Sequence, residues 1–439
     1  MTYRIGFYGC AHLGYRMRGM NRTSPNGINI KENDGYIAHR LIMRDMLEHG
    51  VNGIVDGGDL FHVEHPAVRP VATALAVDDL RVEHAPRPWR VTNGGNHDNG
   101  AATRLSAVAH IHRTELDCHA VYPDTSRDAA QQIGPWPGLY EVHQPDPTQP
   151  VFIHVVSHNG LDPALADRGI TIDPTPRPNA VNILVSHGIF SADGRLFGAD
   201  DAHGARRVIP ETWVGKDWDQ TILSDYHTLG PIPGFEPDTP QQRGQVWMTG
   251  SGVRRGFSDE ACDRGWIEVA IDGDPTTGTA KTTVTPHTIW QRPQVDFHPI
   301  EARGLTAADI DARIRNRIKK TALWDDPTAE LTGDGGVIVR QTIQHSTPQQ
   351  RSQLAEYRVE WQQLADRAAF FSVDYIDNWK PETPTATTDP KNRKTLVDEF
   401  IDRQKTGEVG KVMKPLAEND PDLHKTVFEQ VKKTLETIH

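Results

Sequence analysis

The chain has 439 residues, 37% of them apolar and 24% charged, with a formal net charge of −12 from 47 Lys and Arg against 59 Asp and Glu. At roughly 100–200 residues per domain this length allows two to four domains, and the acidity excludes a general basic coat for nucleic acid or an anionic membrane, though not a local basic groove. Three cysteines (Cys10, Cys118, Cys262) exclude a disulfide framework, no apolar run reaches the roughly 18 residues of a membrane span, and the start MTYRIGFYG lacks the build of a signal peptide. A soluble intracellular protein is expected, in the cytoplasm or, if phage-encoded, in that of a host.

Short runs rich in Val, Ile and Phe predict strands at Tyr3–Tyr8, Gly53–Asp56, Val151–Val156, Asn182–Val185 and Trp266–Ile271. Helical spacing runs over Tyr36–Glu48, with Ile37, Leu41, Ile42, Met46 and Leu47 on one face, and over Ala67–Val82. The alternation predicts an α/β core of largely buried sheets, with ligands gathering at the carboxyl ends of strands. From about Pro293 the pattern changes to a helix at Ala307–Lys320, a strand at Gly336–Ile343 and a charged helix at Gln349–Ala369, a smaller α+β domain. Pro381–Asp389 reads as a linker. Beyond it, Lys391–His439 holds two helical patterns broken near Gly410 and at Pro415, with ten Lys/Arg against nine Asp/Glu.

Three motifs close early strands: Gly9-Cys10-Ala11-His12-Leu13-Gly14, Gly57-Gly58-Asp59-Leu60-Phe61-His62, and Gly94-Gly95-Asn96-His97-Asp98. Glycine lets the chain turn sharply, so short polar side chains can point at a common centre. Asp, Asn and His supply the oxygen and imidazole ligands that suit manganese, iron or zinc. One carboxylate can bridge two ions about 3.5–4 Å apart, a spacing that clamps both oxygens of an in-line phosphoester displacement. Taken singly each motif also reads as a polar turn; three together at strand ends point to a metal site. The chain contains no Walker-type phosphate loop, no Gly-x-Ser-x-Gly elbow and no Cys-x-x-Cys.

GDLFH and GNHD resemble motifs of the calcineurin-like metallophosphoesterases, and the chain is most similar to the SbcD-type nuclease subunits of DNA double-strand-break repair, including phage versions. His12-Leu13-Gly14-Tyr15-Arg16, His62 after Asp-Leu-Phe, Arg104-Leu105, and Gly250-Ser251 followed by Arg254, Phe257, Glu260 and Gly265 carry the likeness. It covers about 1–295 well and 296–375 more loosely. The fold it implies is a β-sandwich of two mixed sheets flanked by helices over 1–295. A small α+β capping, DNA-binding domain over 296–378, a linker over 379–392 and an ATPase-docking helical segment over 393–439 follow.

The resemblance implies His12 as ligand of a first metal, Asp59 as bridge, and Asn96 and His187 as ligands of a second. It implies His97 as general acid and His62 as the residue that places the DNA or the phosphate. The family opens its site with Asp-x-His, where this chain has Cys10, and closes it with Gly-His-x-His, where Pro231 and Pro233 stand in Asp225-Tyr226-His227-Thr228-Leu229-Gly230-Pro231-Ile232-Pro233. Cys10 reads either as a thiolate ligand suited to zinc or iron or as a small buried thiol. His227 has the strand parity of the lost histidines but lies roughly 13 Å away along an extended chain, at about 3.3 Å per residue, which is too far for simple replacement. Other histidines (His110, His112, His158, His203) read as surface or packing residues. Arg16, Arg18 and Arg22 could meet phosphates beside the site, or line a solvated loop; Arg313–Lys320 could line a DNA path, or be a solvated helix face.

The implied cofactor is a divalent metal, manganese in the family pattern with two ions, one if the altered positions do not bind. The implied partners are DNA ends, an SbcC-type SMC-like ATPase and a second copy of the chain. Two functions are carried forward: a metal-dependent nuclease subunit of an SbcCD-like repair complex, and a weakened or inactive scaffold of the same fold that binds DNA ends and the ATPase.

Overall fold

The computed structural model describes residues 2–17, 19–20, 22–99, 106–123, 136–198, 207–215, 217–236, 245–257, 262–277, 279–320 and 336–376. Arg18, Arg104, His203, Glu260, the expected linker and the tail lie outside the described residues. Met1–Asp377 form one compact unit.

This unit is built on two six-stranded mixed sheets. The first sheet joins β1 (Tyr3–Tyr8), β2 (Gly53–Asp56), β3 (Trp89–Asn93) and β4 (Cys118–Val121) in parallel, and β14 (Gly265–Asp272) and β15 (Lys281–Thr288) extend it antiparallel beside β1. In the second sheet β6 (Val151–Val156), β7 (Val181–His187), β11 (Gln220–Ser224) and β13 (Val246–Thr249) run parallel. Antiparallel β5 (Tyr140–His143) and β12 (Leu229–Pro231) form its edges. Between β7 and β11 in the chain, β8 (Ile189–Ala192), β9 (Arg195–Phe197) and β10 (Val208–Pro210) make a small third sheet.

The layers follow from side-chain alternation along the strands. Ile5, Phe7, Val55 and Val91 of the first sheet meet Ile153, Val155, Ile183, Val185 and Ile222 of the second in one dry core. The other face of the first sheet packs on helices α1 (Ile30–Glu48) and α2 (Val68–Val82), through residues such as Ile42, Met46, Ala74 and Val77. The expected sandwich of mixed sheets flanked by helices is present.

Beneath the first sheet a charged network is buried with the helices. Asp78 of α2 accepts from Arg81 at 2.8 and 3.1 Å, from Arg90 at 3.1 Å and from Arg113. Arg90 also reaches Tyr8 Oη at 2.6 Å and Asp56 at 3.3 Å. Burial opposes the charge on Asp78, but the neighbouring Arg90 and Arg81 guanidinium groups hold its carboxyl well below the usual range.

Helix α1 begins at Ile30, six residues before the predicted start at Tyr36. Asn29 caps it, its side-chain oxygen accepting from Lys31 N and Glu32 N. The first turn carries Lys31, Glu32, Asn33 and Asp34, all buried, so the apolar pattern starts a turn late. Asp34 is held in a bidentate pair by Arg292 at 2.9–3.0 Å, and Arg292 also donates to the Gly336 carbonyl.

After β15 a parallel three-stranded sheet, β16 (Gln294–Glu301), β17 (Ile338–Gln344) and β18 (Phe370–Ile376), packs with α3 (Ala307–Lys320) around Ile310, Ile314, Ile343 and Trp361. The predicted helix Gln349–Ala369 is two, α4 (Pro348–Ala355) and α5 (Arg358–Leu364). A tightened turn at Glu356 and Tyr357 lets Leu354 and Trp361 both reach the core.

Candidate metal centre

Five strand ends meet at one end of the sandwich. β1 leads into Gly9–His12, β2 into Gly57–Asp59 and β3 into Gly94–His97, while β7 ends on His187 and β11 on Ser224, which pairs with His187. Short backbone bonds lock the first two loops together: Cys10 N to the Gly58 carbonyl at 2.8 Å, His12 N to that of Asp59 at 2.9 Å. Glycine is required where they cross. A Cβ on Gly95 would sit 2.1 Å from Asp59 Oδ1, and Gly58 has φ +113°. Of the eight described non-glycine residues with positive φ, Cys10 (49°), His12 (46°), Asp59 (57°) and Asp225 (103°) lie here. Such conformations cost roughly 1–3 kcal/mol each and persist where a site demands them.

Asp59 is the buried centre. Its Oδ2 lies 3.6 Å from His12 Nε2 and 3.5 Å from His187 Nε2, and Oδ1 accepts from His97 N at 2.9 Å. On one side His12 Nε2 faces His227 Nε2 at 3.3 Å, and one ligand atom from each of Cys10, His12 and His227 falls within 4.8 Å of the others. On the other side Asn96 Oδ1 is 3.0 Å from His187 Nε2 and 3.0 and 3.2 Å from the Asp59 oxygens. Asp225 Oδ1 is 3.9 Å from His187 Nε2. Cys10, Asp59 and His187 also lie within 4.8 Å of one another.

This donor set fits divalent metal. Donors at about 2.0–2.3 Å from one ion stand roughly 3–3.5 Å apart, close to the spacings found. The Asn96 oxygen faces two carboxylate oxygens, an arrangement that calls for a positive charge among them or for the amide turned so that its NH2 donates. Burial and the Arg255 charge push His12 well below its usual pKa, so it offers a lone pair. Burial also opposes a charge on His187, yet Asp59 outweighs it and raises His187 to about 9, a measure of how strongly the pocket favours a cation. Burial and the Asp59 and Asp225 carboxylates push the Cys10 thiol well above its usual value, so a thiolate there needs a cation beside it.

The register at β11 corrects the expectation for the last motif. The strand ends at Ser224, so Asp225 and His227 are the residues that follow it into the site. Pro231 lies in edge strand β12 opposite Trp247, and Pro231 and Pro233 are both exposed. They do not stand where ligands are called for. His227, expected too far away, touches His12, because the turn after β11 folds back over the centre and the distance along an extended strand does not apply. Asp225 was missed; its signal was Asp-x-His directly after a buried run. Arg255 was missed as well: its Nη2 donates to His227 Nδ1 at 3.2 Å.

His97 and His62 stack at the rim, 5.0 Å between ring centroids, and His97 lies edge-on to His12 at 4.8 Å. His97 Nδ1 donates to the His62 carbonyl at 2.8 Å, which leaves Nε2 as its other working nitrogen. Burial and His97 lower His62 to about 4. Arg16 pairs with Glu32 at 2.7 Å while staying largely exposed, and Arg22 donates to the carbonyls of Asp366 and Ala368, so Arg22 ties loops together.

No family model matches the chain. The DNA double-strand break repair protein Mre11 of Halobacterium salinarum is 25% identical over 346 residues, which span 78% of this chain and 73% of that protein. The chain is an Mre11/SbcD-like homologue. Among solved structures, this Mre11-like chain is similar to a purple acid phosphatase from yellow lupin seeds (10% identity, TM-score 0.35, covering 63% of this chain) and spans half the length of that enzyme. A dimetal phosphatase from Danio rerio (10% identity, TM-score 0.33) is matched over 65% of this chain and 99% of its own. Among the described residues no helix is long and apolar enough to cross a membrane.

Proposed function

We propose that the chain is a calcineurin-like, metal-dependent phosphodiesterase that cleaves DNA at double-strand ends as the nuclease subunit of an SbcCD-like complex. The observation that carries this reading is the convergence on Asp59 of two donor sets, Cys10, His12 and His227 on one side and Asn96, His187 and Asp225 on the other. Asp59 would serve both. Divalent ions held there supply charge neutralisation to a phosphodiester, worth several kcal/mol in such sites. Manganese suits the oxygen-rich second set, and the thiol of Cys10 biases the first toward zinc or iron.

The chain's own residues do the rest. As the imidazolium, with its Nδ1–H held by the His62 carbonyl, His97 would hand the Nε2 proton to the leaving oxygen and be left as the neutral Nδ1–H ring. His62, stacked on His97 and kept neutral, orients that ring and shapes the approach of the phosphate. The partners in this reading are duplex ends, an SMC-like ATPase docking on 393–439, and a second copy of the chain. The deciding experiment is cleavage of end-labelled duplex with manganese and the partner ATPase. Wild type should cut, and His97→Ala should cut about 10²–10⁴-fold more slowly. No cleavage by wild type would sink the reading.

One observation favours the scaffold alternative. Because Arg255 donates to His227 Nδ1, His227 Nε2 carries the proton facing His12, and ligation would require Arg255 to let go. Metal analysis of the Asp59 centre, read as the ions lost on Asp59→Asn, separates the two: two ions support the nuclease, and one or none supports the scaffold.

A further inference from the structure

A second cluster of metal-ligating side chains lies apart from the centre around Asp59 and shares no residue with it. Asp45 occupies the last turn of α1 and His49 caps it, so the two stand four apart on one helical face. His287 reaches them from β15, and one ligand atom each from Asp45, His49 and His287 lies within 4.8 Å of the others. The His49 and His287 rings are 4.4 Å apart. From β14, Glu268 Oε2 comes to 3.3 Å from His287 Nε2 and pairs with that side of the ring.

The surrounding bonds aim these donors inward. Trp266 Nε1 donates to Asp45 Oδ2 at 2.7 Å, leaving Oδ1 on the cluster side, 3.6 Å from His49 Nδ1. Arg4 Nη1 donates to Glu268 Oε1 at 2.6 Å, leaving Oε2 toward His287. His49 Nδ1 donates to the Asp45 carbonyl at 2.8 Å, so its Nε2 keeps a lone pair. Trp266 stacks on His287 at 4.2 Å and fixes its plane. Each first donor thus has a neighbour that orients it, the outer-shell pattern of bound metal.

We propose that Asp45, His49 and His287 form a separate site for a divalent transition cation, zinc by its two imidazoles and one carboxylate, with Glu268 as the carboxylate that orients His287. Asp45 at the ion and Glu268 behind His287 offset the ion's charge. The ion would clasp the end of α1 to the β14–β15 pair, where β15 is an edge of the first sheet.

Zinc titration by calorimetry on the full chain tests this, with Asp59→Asn in the background to disable the centre described above. Asp59→Asn should still bind one zinc, and adding His49→Ala should weaken that binding at least about tenfold. His49 is partly exposed at a helix end, so its loss leaves the fold standing. Zinc should also raise the melting temperature of wild type more than that of His49→Ala. Equal zinc affinity and equal melting shifts with and without His49→Ala would overturn the site. Should Asp59→Asn not fold, wild type against His49→Ala decides: one equivalent fewer in the variant supports the site, and an identical count and affinity overturns it.

Discussion

Carboxylates are buried in two regions of the sandwich, and the chain treats them oppositely. Between α2 and β3, Asp78 faces Arg81, Arg90 and Arg113, cations that cannot lose their charge. At the strand ends, Asp59 and Asp225 face imidazoles, whose charge is conditional, with Arg255 behind His227. The first arrangement completes itself within the chain and serves the fold. Among the described residues the second leans on imidazoles and is held in strained backbone, the signature of a place that waits for a ligand.

Substitutions can break that contrast. Asp59→Asn should have the largest effect, lowering phosphodiester cleavage on the order of 10³-fold or more, since the shared charge is worth several kcal/mol to the reaction. Its cost in urea unfolding should stay well below that of Asp78→Asn; an equal cost would erase the distinction. Asp78→Asn leaves buried guanidinium groups without their acid and should destabilise the chain by about 3–5 kcal/mol while the folded fraction still cleaves. The sign with pH follows from a carboxyl held low in the fold: the Asp78 contribution is complete above the ordinary carboxylate range and fades as pH falls through it. Asp225→Asn should weaken one manganese by about 10–100-fold in calorimetry, with little change in metal-free stability. An unchanged isotherm would remove Asp225 from the ligand set. Pro231→Ala and Pro233→Ala should leave cleavage within about twofold, as exposed substitutions do. A large effect from either would restore the register in which they stand at the metal.

Much of the scaffold was legible because buried parallel strands leave continuous apolar runs: Tyr3–Tyr8, Gly53–Asp56 and Val151–Val156 fall where their composition places them. The three glycine-bearing loops were legible for a related reason, since close crossing of backbones admits no side chain, as at Gly95. Asp225 and His227 were not. Where β11 stops depends on its pairing of Ser224 with His187, a fact held by the neighbouring strand, and Asp225-Tyr226 resembles the family's closing motif, which puts its ligands later in the chain. The start of α1 was hidden because Glu32 and Asp34 are buried by partners as distant in sequence as Arg292, beyond the reach of local periodicity.

The Arg292–Asp34 pair bears on how the chain could be shortened. A cut near residue 295 looks natural from the change in sequence texture, but Arg292 also holds the Gly336 carbonyl, Met20 and Ile30 pack on Ile338 and Ala369, and Arg22 reaches Asp366 and Ala368. Removing everything after β15 would strip the cover from the first turn of α1 and from the loop that follows His12. For expression or dissection the separable piece is therefore residues 1–377, with both sheet assemblies kept together.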